Sequence, residues 1–191
     1  MLNPSHFSKL IHEQANKYQD AVAMKYRDYE IGKWLPITWR EFSDKVLQMS
    51  KSLLSMGVKV QENIATFSQN KPECLFVDFG AYGVRAVTIP FYATSSGAQV
   101  VYMMNDAEIR LLFVGEQLQY DVICEVADQC PTLEQVVIFD SSVVKKEGDT
   151  RSMYLDEFLK LGENGDFDAE LKQRVADANP QDLANILYTS G

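Results

Sequence analysis

Hydrophobic positions along the chain switch repeatedly between two periods. Phe7, Leu10, Ile11, Ala15 and Tyr18 recur at helical spacing, and Asn3-Pro4 offers a cap and a first-turn proline ahead of them. Residues 21–27 and 33–38 read as two strands joined by a turn around Gly32. Thr38 and Glu41 form a capping-box pattern. Trp39, Phe42, Val46, Met49, Leu53 and Met56 then return every three or four residues until Gly57 ends the helix. A short apolar strand covers 63–67. Asn70 and Glu73 are read as the cap of the next helix, and its interior from Cys74 to Val84 is apolar on nearly every face. That helix is read as core rather than as the wall of an acyl tunnel, and Trp34 and Trp39 as packing anchors.

The alternation continues downstream. A strand at 85–89 is expected to stop at Pro90, and Ser96 with Gln99 marks another helix start. Further elements follow: a strand at 111–114, a helix at 116–129 before Pro131, and a strand at 135–139. Residues 140–165 are polar, with Gly148, Gly162 and Gly165, interrupted by a short amphipathic helix at 154–161. A helix at 167–177 precedes the final apolar strand, which runs into Thr189-Ser190-Gly191. Strands alternating with helices imply an α/β fold of right-handed βαβ units, with a mainly parallel sheet flanked by helices. Ligands of such a sheet bind beyond the carboxyl ends of its strands, where the last three residues are expected to lie. Tyr92, Thr94 and Ser95 also follow a strand end, and read either as a plain turn or as neighbours of that crevice.

Composition narrows the class. The 191 residues are 46% hydrophobic, 24% charged and 11% aromatic, the balance of a soluble globular protein rather than a disordered or collagen-like chain. Eighteen basic against 27 acidic residues give a net charge of −9, which argues against a uniformly basic nucleic-acid surface. Residues 140–182 hold 6 basic and 11 acidic groups, so that stretch reads as an acidic surface excursion, with an acidic docking surface as the rival reading. No stretch reaches the roughly 18 to 20 apolar residues of a membrane span. The start lacks the apolar run of a signal peptide, so the expected compartment is cytoplasmic. The odd cysteines Cys74, Cys124 and Cys130 fit free thiols there. His6 and His12, six apart on one helix, fall on different faces, which disfavours a shared metal.

An apolar strand running into Thr-Ser-Gly is how a phosphate-cradling loop begins. Glycine lets backbone approach the anion, and the hydroxyls and amides donate to it. The tail Leu187-Tyr188-Thr189-Ser190-Gly191 resembles the opening of the phosphate loop of adenylate-forming enzymes, which continues Thr/Ser-Thr-Gly-x-Pro-Lys-Gly. Other segments are similar to that family in its order and spacing: Trp34 to Phe42, Leu53 to Val58, Asn70 to Glu73, Ala86 to Ser96, Val101 to Glu108 and Leu111 to Val114. The wording resembles the long-chain fatty acyl-CoA synthetases most. The chain departs from the pattern at Arg85 (usually Gly), Ala93 (usually Pro), Cys74 (usually Trp) and Gln61-Glu62 (a Gly-Asp turn). Arg85 and Ala93 are expected to flank the substrate region, which leaves acyl-chain length open.

The resemblance implies that residues 1–191 are the N-terminal portion of an AMP-binding domain, ending within the phosphate loop. It implies an ATP-dependent ligase that forms an acyl-adenylate and then a thioester with coenzyme A. The substrates would be fatty acid, ATP and CoA, with Mg²⁺ as the metal. Thr189, Ser190 and Gly191 would begin the loop against the β and γ phosphates, and the Thr189 hydroxyl would lie on the Mg²⁺ side. The family's adenine, ribose and acidic metal contacts, its hinge and its adenylation lysine come later in the family sequence, so no catalytic residue is assigned and the fragment alone is expected to be inactive. A homodimer and peripheral membrane contact stay open. Two alternatives remain: a free-standing flavodoxin-like α/β binding module ending near Gly191, and an adenylate-forming enzyme acting on an aryl or amino acid.

Overall fold

The sheet is built from strands that are apolar on both faces, as a sheet covered by helices on each side requires. The computed structural model describes residues 6–29 and 31–189; Asn3 and Pro4, read as a helix start, lie outside them. Helix α1 (Phe7–Tyr18) is capped by His6, whose ring accepts from the Ser8 amide at 3.1 Å. Strands β1 (Val22–Asp28) and β2 (Lys33–Thr38) form a separate antiparallel ribbon. Thr38 and Glu41 close the expected capping box at the start of α2 (Trp39–Ser55).

Five parallel strands make the main sheet: β3 (Asn63–Phe67), β4 (Val87–Phe91), β5 (Leu111–Val114), β6 (Gln135–Ile138) and β7 (Ser152–Tyr154). Their order is β4-β3-β5-β6-β7, so the winding reverses at β3. Helices α4 (Gly97–Asp106) and α5 (Gln117–Val126) share one core with the face carrying Ala65, Phe67, Ile89 and Leu112. On the other face Ile64, Leu111 and Phe113 pack with α1, α2, α3 (Pro72–Val84), α6 (Leu155–Glu163) and α7 (Asp168–Ala176). The α/β reading therefore holds.

Several local expectations change. Trp34 is 61% exposed and anchors no core, whereas Trp39 packs on Tyr18 and Phe42. Lys71, not Asn70, is the α3 cap, and it makes no side-chain cap bond; Pro72 in the first turn needs none at its own nitrogen. Strand β4 runs through Pro90 instead of stopping there. In a parallel strand, alternate residues turn their amides to opposite neighbours, and Pro90 faces away from β3, so its missing N–H costs no bond to that strand.

The 140–182 stretch contributes the edge strand β7, which the polar sequence does not advertise. It also carries Phe158, fully buried in an edge-to-face contact with Phe113 at 5.4 Å. Tyr120, itself buried, holds the loop before β7: its hydroxyl donates to Asp149 at 2.6 Å and accepts the Lys146 amide at 2.8 Å. Helix α6 crosses α2 closely, because a Cβ on Gly162 would stand 2.6 Å from the Ser52 amide nitrogen.

The final apolar run does not become a full strand. It makes a parallel bridge, Thr88 with Asn185, on the outer edge of β4. The Thr88 amide donates to Ala184 O and the Ile186 amide to Thr88 O. Two residues on, the β4 position facing this edge is Pro90, which has no donor to extend the ladder.

Candidate functional site

The carboxyl edge of the sheet gathers four connections: residues 68–71 after β3, 92–95 after β4, 115–116 after β5 and 139–140 after β6. Where the winding reverses, between β3 and β5, the edge is closed. Gly115 lies so near Ser68 that a Cβ there would overlap the serine hydroxyl, and its amide donates to Phe67 O at 3.0 Å. Lys71 bridges Glu116 at 2.9 Å and Asp140 at 3.9 Å across the same place. The Ser142 side chain and the Lys71 ammonium both hold the Asp140 carboxyl below its ordinary range.

Thr189 follows a run whose last backbone bond to β4 is from the Ile186 amide to Thr88 O, and its neighbour Tyr188 bonds Asp106 at the end of α4. Thr189 is exposed. Ser190 and Gly191, the other two loop residues, lie outside the described residues. At the carboxyl end of β4 the 92–95 segment is a turn closed by the Ser95 amide on Tyr92 O at 2.9 Å, with Tyr92 and Thr94 exposed. Buried Gln119 fixes that turn by donating to Ala93 O at 2.8 Å; no periodicity in the sequence points to it.

Thr189 suits magnesium as a hard oxygen donor, but as one donor only. Among the described residues no cluster of three or more His, Cys, Asp or Glu side chains could hold a metal ion. Mg²⁺ bound largely by substrate phosphates and water needs little more from the protein. Arg85, expected near the substrate, lies at the opposite, amino-terminal end of β4, while Ala93 lies at the carboxyl end. His6 and His12 serve separate partners, Ser8 and Ser43. All three thiols are free; burial pushes those of Cys74, Cys124 and Cys130 up.

This sheet and its tail have known relatives. Curated relatives include the long-chain-fatty-acid–CoA ligase FadD15 of Mycobacterium bovis, 30% identical over 160 residues (84% of this chain, 25% of the relative). Long chain acyl-CoA synthetase 4 of Arabidopsis thaliana is 30% identical over 173 residues, covering 86% of this chain and 24% of its own length. The long-chain-fatty-acid–CoA ligase ACSBG2 of Xenopus laevis is 24% identical over 190 residues (100% and 25%). The chain thus spans about a quarter of the length of these relatives. In fold it superposes on the anthranilate CoA ligase AuaEII, solved in complex with anthranoyl-AMP, with a TM-score of 0.78 at 18% identity, over 97% of this chain and 32% of the other. Residues 11–191 match the family described as AMP-binding enzyme, and the chain belongs to that family of adenylate-forming enzymes.

Proposed function

We propose that these residues are the N-terminal part of an ATP-dependent long-chain fatty acid–CoA ligase. The observation that supports this reading is a Thr-Ser-Gly tail following a run bridged to the outer edge of β4, in a chain whose relatives bear that name. In the proposed reaction a carboxylate oxygen of the fatty acid attacks the α-phosphorus of ATP. The bond to the β-phosphate oxygen breaks, giving acyl-adenylate and pyrophosphate. The thiol of coenzyme A then attacks the acyl carbon, loses its proton and expels AMP.

Within this scheme the chain's own task is electrostatic. Negative charge grows on the departing pyrophosphate, and donors fixed in advance at the sheet edge stabilise it without reorganising. Thr189 supplies a hydroxyl for the phosphates or for the Mg²⁺ they carry, and that ion neutralises charge when bound. The 191 residues by themselves are proposed to support no turnover. Free thiols suit a reducing, cytoplasmic setting.

The test is pyrophosphate–ATP exchange by the whole protein with saturated fatty acids of graded length and with aryl acids. Exchange that depends on added acid and peaks with long chains is the expected result. Preference for an aryl acid would move the reading to another carboxylate, and exchange with none of them would overturn it.

A further inference from the structure

Apart from two backbone bonds to Thr88, the tail that delivers Thr189 is held by side chains. Backbone bonding to β4 ends at Ile186, because Pro90 removes the next donor. At the root, Gln61 grips the Leu183 backbone twice, accepting from its amide at 2.8 Å and donating to its carbonyl at 3.3 Å. Beside it, Arg85 makes a two-pronged pair with Asp182 at 2.7 and 3.0 Å. In the middle, Asn185 donates to Thr88 Oγ1 at 2.6 Å and accepts from Tyr82 Oη at 2.7 Å. At the tip, the Tyr188 hydroxyl donates to Asp106 at 2.5 Å, and its ring stands edge-on to Tyr102.

The root carries a second sign of purpose. Gln61 and Arg85 both sit in the left-handed region, at φ of 59° and 62°. Their backbones touch, with the Gln61 amide 2.6 Å from Arg85 O. Glycine would adopt this conformation freely, whereas side-chain-bearing residues keep it only when their surroundings enforce it. At both positions the side chain grips the tail, Gln61 at Leu183 and Arg85 at Asp182.

We propose that these contacts form a brace, with Gln61 and Arg85 at its root and Tyr188–Asp106 at its tip, that sets the position of the phosphate loop in place of the backbone ladder broken at Pro90. These are positioning residues: none is placed to touch the reacting atoms. The inference rests on the ligase reading for its kinetic consequence but not for its structural one, and the test separates the two.

Hydrogen exchange of a peptide covering residues 183–191 in the whole protein reads the brace directly. Asp106→Leu removes the acceptor for Tyr188, whereas Asp106→Asn keeps one. Gln61→Gly with Arg85→Gly relaxes the backbone while releasing the root. Asp106→Leu and the double glycine variant are expected to exchange about tenfold faster in that peptide, as loss of a charge-assisted hydrogen bond implies. Asp106→Asn should stay near wild type, and peptides from β5 and β6 should not change. In pyrophosphate exchange, Asp106→Leu should raise the KM for MgATP about tenfold and leave the KM for the fatty acid unaltered. Unchanged exchange at 183–191, or loosening spread equally over the sheet, overturns the brace. A wild-type protein without acid-dependent activity overturns the ligase reading alone, and hydrogen exchange still decides the brace.

Discussion

Thr66, on the central strand β3, carries a buried hydroxyl with no hydrogen-bond partner among the described residues. Leaving such a group dry costs about 1 to 3 kcal/mol. Thr66→Val keeps the branched shape that suits a strand and removes the cost. It should raise unfolding stability by up to about 1 kcal/mol in urea titration; a loss of that size would reveal a partner for the hydroxyl. Individual residues are unevenly legible in the sequence. The pairs Thr38–Glu41 and Ser96–Gln99 could be read as caps because each lies within one helical turn. Trp34 could not be placed, because an aromatic in an isolated two-stranded ribbon has the same local pattern whether or not anything covers it. The place of Arg85 at the amino-terminal end of β4 is hidden from the sequence for a related reason: its bond to Asp182 reaches a residue 97 positions away.

Elements were legible where one period ran for two turns or more. Helices α2 and α4 fall close to their expected bounds for that reason, and strands β3 and β5 do so because each is a short apolar run buried on both faces. Strand β7 has three residues in a polar stretch, too few for any period to register, and only pairing with β6 makes it a strand. The tail shows the converse. Its apolar run reads as a strand, yet Pro90 on the neighbouring edge reduces it to a bridge. Helix α6 owes its place to a short approach at Gly162, where an added Cβ would meet the Ser52 backbone. Gly162→Ala should therefore cost about 1 to 3 kcal/mol, despite alanine's better helix propensity. Urea denaturation measures this, and a stabilised variant would show that the two helices part without loss.

At the scale of the whole molecule, the first described residue meets the root of the tail. His6 stands 3.6 Å from Asp182, which Arg85 also holds. The Arg85 side chain keeps the Asp182 carboxyl below its ordinary value of 3.8, while burial lowers the His6 imidazole from 6.5. Each shift makes the unfolded chain bind protons first, so each contributes stability that is lost on acidification. The His6 contribution is lost as pH falls below 6.5 and the Asp182 contribution as it falls below 3.8. Asp182→Asn should lower stability at neutral pH by about 1 to 3 kcal/mol and narrow its gap from wild type as pH falls below 4. Thermal melts of both proteins across pH check this, and a constant gap would deny the carboxylate its role. The candidate site was legible at this scale only through resemblance. Nothing in Thr-Ser-Gly itself distinguishes a phosphate loop from an ordinary turn, and the brace joins residues 82 to 122 positions apart.

Pro90 has a meaning in time as well as in space. The partner of β4's outer edge, residues 184–186, is made about ninety residues after Pro90, some 5 to 20 seconds later at ordinary rates of synthesis. During that interval the edge is bare, and a bare edge invites strands of other chains. A proline facing outward there breaks the row of donors such a strand would need. The residue that ends the tail's backbone ladder in the finished protein also interrupts the ladder that a foreign strand would need on the nascent one.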